Sequence, residues 1–196
     1  MYEMGYRNED LTRKYDWSTA VLFRRGRPGD VLRRHHLLAA RAVRGGVAAV
    51  RAAAPHLLRV AADARTLKLA WDHLARYGGA APGPNEHRLA DYAQAEVWDR
   101  CRALARAIRA GTYRPGDEQV VMVPKESLDG ERPIVLLDVE DRVVQRAVVL
   151  ALQPLLDPLL DPRAFGYRPG RDYRYALVTA EWVAAAENRW VWVAED

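Results

Sequence analysis

The stretch QVVMVPKESLDGERPIVLL, residues 119–137, has the pattern of two short strands joined by a turn. The segments QVVMVP and RPIVLL are rich in the β-branched residues that strands favour. The KESLDGE segment between them is polar and carries Asp129-Gly130 at its centre, a dipeptide typical of tight hairpin turns. The pattern predicts an antiparallel β-hairpin with a charged tip.

Helical patterns surround the predicted hairpin. Asp138 is placed to cap a helix that has a wide apolar face. Trp71, Trp98 and Trp182 fall at helical positions, so we expect them in the core. The predicted helices that follow residue 61 cover 62–77, 88–110, 138–153 and 172–187.

The closing segment RWVWVAED, residues 189–196, alternates large apolar residues and predicts one more strand. A strand that ends in acidic residues is typical of a site that needs a carboxylate at the strand tip. Helices packed on a hairpin, together with this separate strand, predict an α+β fold.

Composition limits the class of protein. With 49% hydrophobic and 29% charged residues, the chain suits a globular fold, and it has no run of the roughly 18–20 apolar residues that span a membrane. The first residues lack the apolar core of a signal peptide, so we expect a cytoplasmic protein with no membrane partner. The single cysteine, Cys101, excludes an intramolecular disulfide, and its helical apolar spacing favours a buried thiol. The five histidines show no zinc-type spacing.

Charge is distributed unevenly along the chain. Residues 1–60 hold 12 Lys and Arg against 5 Asp and Glu, a net charge of +7, whereas residues 61–196 hold 18 against 21, a net charge of −3. Ala and Arg dominate residues 31–59, where Gly45-Gly46 predicts a break between helices. Such a basic region favours contact with a polyanion, and the alternative is a solvated, arginine-rich helical surface.

Several short motifs follow one another in order after residue 69. They are GGAAPG at 78–83, GTYRP at 111–115, VPK with RPI in the hairpin, DRVVQ at 141–145, LQPLLDP at 152–158, GYRPGR at 166–171 and the closing strand. In this order and spacing they resemble the reverse transcriptases encoded by group II introns and their bacterial relatives. The sequence departs from that family at PGPNEH, where a second Gly-rich element is usual, and at Leu136-Leu137. It also contains no Asp-Asp dipeptide, so the Y-x-D-D strand of the family is absent.

Lys125 and Arg132 flank the tip of the predicted hairpin. Across a two-stranded turn such positions can project side by side, where a Lys point charge and an Arg fork suit phosphate oxygens. The chain has 27 Arg and only three Lys, so a Lys at this position runs against its own bias. A solvated charged turn is the alternative. The resemblance implies that this pair binds the phosphates of an incoming deoxynucleoside triphosphate (dNTP).

Five further residues are candidate contacts with the nucleic acid. Gly-Pro loops with an aromatic ring and guanidinium groups suit base stacking and backbone clamping, whereas a stiff, self-packed loop is the alternative. The resemblance implies that the loop at 166–171 and the start of the helix that follows the hairpin face the RNA template and its DNA or RNA primer. The candidates are Arg142, Gln145, Tyr167, Arg168 and Arg171.

Asp196 is the candidate catalytic residue and metal ligand. Nucleotide addition uses two divalent ions held by several carboxylates, and Mg²⁺ prefers oxygen ligands. The resemblance implies that Asp196 is the first of these ligands, whereas the alternative is an exposed terminal residue. Without the Y-x-D-D carboxylates one aspartate does not hold two ions, so this chain alone is expected to be inactive.

The sequence divides into three predicted regions, the first of which lies outside the resemblance, and more than one class of function stays open. The regions are a basic helical N-terminal region (1–61), reverse-transcriptase fingers (62–187) and a truncated first palm strand (188–196). The first hypothesis is the N-terminal part of an RNA-directed DNA polymerase that uses Mg²⁺, with a separate palm and thumb polypeptide as a potential partner. The alternative is a non-catalytic RNA- or DNA-binding module or a subunit of a split polymerase, and a third option is a pseudogene product.

Overall fold

The structure is a computed structural model, and it describes residues 30–78, 80–125, 130–166, 168 and 171–191. The expected loop before Asp30, the tip of the hairpin, Tyr167 and Asp196 lie outside the described residues, as does most of the predicted closing strand. Among described residues, no helix is both long enough and apolar enough to cross a membrane.

The described part of the basic N-terminal region, residues 30–61, forms three helices. Helix α1 (Asp30–Arg44) is separated from α2 (Gly46–Ala53) at the predicted Gly45-Gly46 break. Gly46 has a φ of +78°, which favours glycine because a Cβ is strained in this region. A 3₁₀ turn around Pro55 then leads into α3 (Leu57–Ala61).

Helices α4 (Ala64–Tyr77) and α5 (Gln94–Arg109) follow, and both begin at capping groups. The Asp63 carboxylate accepts hydrogen bonds from the backbone N–H groups of the first turn of α4 at 3.1 Å. Helix α5 begins later than the predicted residue 88. The Ala93 N–H donates to Glu96 at 3.2 Å and fixes the start of the helix there, whereas residues 89–91 form a separate 3₁₀ turn.

The predicted hairpin is confirmed. Strands β1 (Gln119–Pro124) and β2 (Glu131–Leu136) pair antiparallel, with Val123 opposite Arg132. The Lys125 N–H donates to the Gly130 carbonyl at 3.1 Å, so Gly130 lies opposite Lys125 at the strand end. The prediction that Asp129-Gly130 forms the centre of the turn is therefore wrong.

Two further helices complete the described chain. Helix α6 (Val139–Leu156) extends beyond the predicted end and includes Pro154 in its last turn. Helix α7 (Tyr173–Glu187) begins at Asp172, whose carboxylate accepts from the N–H groups of Arg174 and Tyr175. Asn188 ends α7 in the left-handed conformation, where Asn is tolerated better than most residues.

The core forms around α6. Helices α4 and α5 pack on one side of α6, and α1 and α3 pack on another side. Trp71 is 2% exposed, and Cys101 is fully buried, as expected. The apolar residues of the largest cluster include Leu67, Trp71, Val97, Cys101, Val139, Val143 and Leu150. The chain is mostly helical with one two-stranded antiparallel sheet in its described part, which agrees with the predicted α+β class.

Two tryptophans lie outside this core. Trp182 is 59% exposed and Trp98 is 36% exposed, so the expectation that both are core residues is wrong. Helical spacing indicates which face is apolar, but it does not show that another element covers that face. The described residues of the predicted last strand, 189–191, form no regular strand, and Trp190 is exposed.

Candidate nucleotide and nucleic-acid interface

The hairpin register places Lys125 and Arg132 on one face. Arg132 lies opposite Val123, and Val123 and Lys125 are two residues apart on the same strand, so all three side chains point the same way. Lys125 and Arg132 are therefore diagonal neighbours, a relation that brings Cβ atoms to within about 7–8 Å. Both residues are exposed.

Among the described residues, none on this face of the hairpin end neutralises the two cations. Gly130, opposite Lys125, has no side chain, and a Cβ built there meets no atom within 4 Å. The nearest strand carboxylate, Glu131, pairs with Pro124 and therefore points to the opposite face. Within the described part of the chain, neither Lys125 nor Arg132 has an ion pair. The arrangement can accept a phosphate, with a compact ammonium beside a planar guanidinium.

The start of α6 holds the Gly-rich loop that precedes α5. Both terminal nitrogens of Arg142 donate to the Ala81 carbonyl at 3.2 Å, and its buried Nε has no hydrogen-bond partner. The predicted nucleic-acid residue Arg142 is therefore already engaged within the chain. Gln145, one turn further along α6, is exposed and remains accessible to a ligand.

Asp138 clamps the loop at 80–87 against α6. Its Oδ1 accepts from the Asn85 N–H at 3.1 Å, and a Cβ built at Gly83 would lie 2.6 Å from the same oxygen. A Cβ built at Gly116 would lie 2.6 Å from Asp138 Oδ2. Glycine is therefore required at both positions because two chain segments pass directly over the aspartate.

Asp141 holds the segment that leads into the hairpin. It is buried, and it accepts hydrogen bonds from the Tyr113 hydroxyl and from the Gly116 N–H, the latter at 2.9 Å. Burial and the hydrogen bond to Asp141 raise the pKa of Tyr113, so the phenol stays a neutral donor. From the sequence, Asp141 was assigned only as the first residue of the DRVVQ motif, and this contact was missed. The sequence feature that points to this contact is the GTYRPG segment, in which Tyr113 supplies a hydroxyl donor and Gly116 allows a close approach of the backbone to Asp141.

Arg168 lies inside the loop that was expected to face the template. It is only 5% exposed, and its guanidinium pairs with the Asp157 carboxylate at 2.9 Å. It also donates to the carbonyls of Asp157, Asp161 and Ala164, each at 2.8 Å. These contacts identify Arg168 as the residue that closes the loop on itself. In this conformation only a minor part of its hydrogen-bonding capacity is left for a nucleic acid.

Arg171 is the more accessible arginine of the same loop. One terminal nitrogen donates to the Pro162 carbonyl, and the guanidinium carbon lies 5.9 Å from the centre of the Phe165 ring. Arg171 is half-buried, so part of it faces solvent. The predicted roles of Arg171 and Tyr167 in binding the template stay predictions.

The structure gives no metal centre to test the predicted Mg²⁺ site. Within the described ranges, no three His, Cys, Asp or Glu side chains are grouped so that they could hold a metal ion. Asp196, the predicted ligand, lies outside those ranges. Asp138 and Asp141 are both occupied by hydrogen bonds from the chain itself.

Helix α7 leaves most of its apolar surface exposed. Among its described residues Val183 is the one buried side chain. Its exposed apolar residues point in several directions around the axis, a pattern that is typical of a helix with packing partners on more than one side. They are Tyr173, Tyr175, Leu177, Val178 and Trp182.

Comparison with known proteins yields one partial similarity to report. A stretch of 105 residues, 52% of this chain, is 30% identical to Protein YkfC of Escherichia coli K12 and covers 27% of that protein. No protein-family model matches the chain. The chain thus spans about a quarter of the length of this curated relative, whose name states no activity.

Proposed function

We propose that the chain is the fingers-like N-terminal part of an RNA-directed DNA polymerase of the group II intron type. The observation that supports this best is the cationic pair Lys125 and Arg132, which shares one face at the free end of a hairpin. A polymerase needs such a pair where the triphosphate of an incoming nucleotide docks. Phosphoryl transfer depends on positioning and on neutralising the charge of the phosphates.

Two further features support this proposal. The loop at 80–87, the segment before β1 and the start of α6 are joined through Asp138, Asp141 and Arg142. The hairpin therefore extends from a fixed base, which positions its tip as a binding site requires. The exposed apolar residues of α7 suit a helix that packs against further elements of a polymerase.

The catalytic step of such a polymerase needs carboxylates that this sequence does not contain. Mg²⁺ would bind at Asp196 together with the two aspartates of a Y-x-D-D strand, and this motif is absent from the sequence. We therefore propose that this chain binds nucleotide and template but does not polymerise alone. RNA-directed synthesis would need a palm and thumb, carried by another polypeptide or by more of the same one.

A calorimetric titration of the chain with dGTP in the presence of Mg²⁺ tests the nucleotide site. Loss of one charge-assisted hydrogen bond costs about 1.5–3 kcal/mol, so Lys125→Ala/Arg132→Ala should weaken binding at least about tenfold. Arg102→Ala/Arg163→Ala removes the same charge from exposed positions elsewhere and should leave the affinity nearly unchanged. The swapped variant Lys125→Arg/Arg132→Lys keeps the charge and should retain most of the binding.

Two results would overturn this assignment. One is the absence of saturable dGTP binding by the unmodified chain up to about 10 mM, the weakest affinity that a preformed triphosphate site would show. The other is an equal loss of affinity in the hairpin variant and in the control variant. In that case binding would depend on net charge and not on the hairpin pair.

A further inference from the structure

The N-terminal helices present a surface of one charge that the nucleotide site does not use. Between Val31 and Ala62 the sequence holds six arginines and no Asp or Glu. All six arginines are exposed. They are Arg33, Arg34, Arg41, Arg44, Arg51 and Arg59.

Four of these arginines project from one side of α1. At about 100° per residue, Arg33, Arg44, Arg41 and Arg34 fall in that order within a sector of roughly 100° around the helix axis. The buried residues of α1, among them Leu32, His35 and Ala39, lie on the other side and pack towards α6 and its neighbours. The four guanidinium groups therefore form a single face, which we call the α1 arginine face.

In the part of the chain that the structure describes, no group neutralises the α1 arginine face. Among the described residues, no ion pair or side-chain hydrogen bond involves Arg33, Arg34, Arg41 or Arg44. Arginines with structural roles elsewhere in the chain do have such partners, as Arg100 has Glu140 at 2.7 Å and Arg168 has Asp157 at 2.9 Å. Arg33 and Arg34 form one pair near the start of α1, and Arg41 and Arg44 form a second pair near its end. Arg33 and Arg41 are eight residues apart, which corresponds to about 12 Å along the helix.

We propose that the α1 arginine face binds the phosphate backbone of duplex RNA, as an anchoring site separate from the hairpin. Arg presents a planar fork that matches phosphate oxygens, and a helix with two arginine pairs about 12 Å apart can contact phosphates on both sides of a groove. This site is independent of the nucleotide proposal, because it uses none of the residues of the hairpin.

The composition of residues 30–62, which form the helices around this face, favours a duplex over a single strand. Single-stranded RNA is held by aromatic rings on which its bases stack. Residues 30–62 contain no Phe, Tyr or Trp, and the only rings there are those of His35, His36 and His56. His35 and His36 are buried, and Nε2 of His35 donates to the Ala151 carbonyl at 2.7 Å. Backbone contacts without stacking suit a duplex, which is recognised mainly by its shape and its phosphates.

An anionic membrane is the less favoured ligand for this face. A basic amphipathic helix binds a lipid surface by inserting its apolar side. In α1 that side is already packed inside the protein, since Leu32 and Ala39 are fully buried. Leu37, which lies between the arginine pairs, and the nearby Leu38 are the exposed large apolar residues of the helix.

Fluorescence anisotropy with a labelled 20-base-pair RNA duplex tests the proposal on the full chain. Each phosphate contact contributes about 0.9 to the slope of log affinity against log salt, so Arg33→Gln/Arg34→Gln/Arg41→Gln/Arg44→Gln should reduce the slope by roughly 3 to 4. The affinity at about 0.1 M salt should fall at least tenfold. The same charge change at exposed positions, in Arg102→Gln/Arg106→Gln/Arg109→Gln/Arg163→Gln, should reduce the slope by less than one.

Three outcomes would overturn the proposal. The first is an equal loss in both quadruple variants, provided that circular dichroism shows the same helix content in each. The second is tighter binding to single-stranded RNA of the same length than to the duplex. The third is binding to vesicles of anionic lipid that the α1 variant loses while duplex binding is unchanged. Substitution of the four arginines by lysine keeps the charge, so the salt slope should stay within about one of that of the unmodified chain.

Discussion

Replacement of Arg168 by methionine should destabilise the loop of residues 157–171 far more than it weakens RNA binding. The guanidinium makes four hydrogen bonds inside the chain, and one of these joins it to the Asp157 carboxylate. Removing one member of a buried ion pair costs about 3–5 kcal/mol when the other charge stays buried. The Asp157 side chain is 29% exposed, so water can hydrate it in the variant. We therefore expect a smaller cost of about 2–3 kcal/mol.

The measurement combines thermal unfolding with amide hydrogen exchange. For a chain of this size about 1 kcal/mol corresponds to roughly 2–4 °C in Tm, so Arg168→Met should lower Tm by about 4–12 °C if the loop unfolds together with the core. If the loop opens alone, the amides of 164–172 should exchange faster while Tm changes little. Either result fits the contacts of Arg168.

Arg163→Met is the matched control for this prediction. Arg163 pairs with Glu187 at 3.0 Å, but its side chain is 59% exposed, so the pair should contribute about 0–1 kcal/mol. The reasoning would be refuted if Arg168→Met and Arg163→Met had the same small effects on Tm and on exchange while Arg168→Met abolished RNA binding. Arg168 would then act as a surface contact with the nucleic acid, as the sequence resemblance implied.

Three other perturbations test the packing of the fold. Burial, aided by the charge of a neighbouring histidine, lowers the pKa of His36 to about 4. Only the unfolded state therefore binds this proton between about pH 6.5 and pH 4. The free energy of unfolding, measured with urea, should fall by up to about 1.4 kcal/mol per pH unit as the pH decreases through that window. Gly83→Ala would place a Cβ 2.6 Å from the Asp138 carboxylate and should lower stability by about 1–3 kcal/mol, whereas Gly166→Ala, which meets no atom within 4 Å, should be nearly neutral by urea unfolding. Burial raises the pKa of the Cys101 thiol to about 12, so it should react with a thiol reagent in urea but not in the native state, and rapid native reaction would contradict its burial.

The sequence could predict the elements of the fold because their signals are local. Alternating β-branched residues identified the hairpin, and Asp138 marked the start of α6, although its side chain makes no capping hydrogen bond. The burial of Trp182 could not be predicted in the same way. Its spacing shows that the position suits a core, but whether a partner covers it depends on tertiary packing that no short pattern records.

The roles of the loop residues were harder to predict because they depend on backbone carbonyls. Arg142 and Arg168 were both assigned to the nucleic acid from residue type and motif. In the structure their guanidinium groups bind carbonyls of Ala81, Asp157, Asp161 and Ala164. Carbonyl groups are the same in every residue, so the sequence carries no sign of which ones converge on an arginine.

The shared face of Lys125 and Arg132 could be predicted even though the position of the turn could not. The reason is that side chains alternate between the two faces of a strand, so only whether the numbers of paired residues have an odd or an even sum matters. Paired residues in the observed register have numbers that sum to 255, as in 123 with 132. A two-residue turn centred on Asp129-Gly130 would give pairs that sum to 259. Both sums are odd, so in both registers the partner of Lys125 has an even number and lies on the same face as Arg132. A slip of one residue would make the sum even and move Arg132 to the opposite face. Deletion of one residue from the segment 126–129 tests this argument. If the register shifts by one with the deletion, Arg132 moves to the opposite face from Lys125, although both cations remain in the chain. The deletion should then weaken dGTP binding as much as loss of Arg132 does.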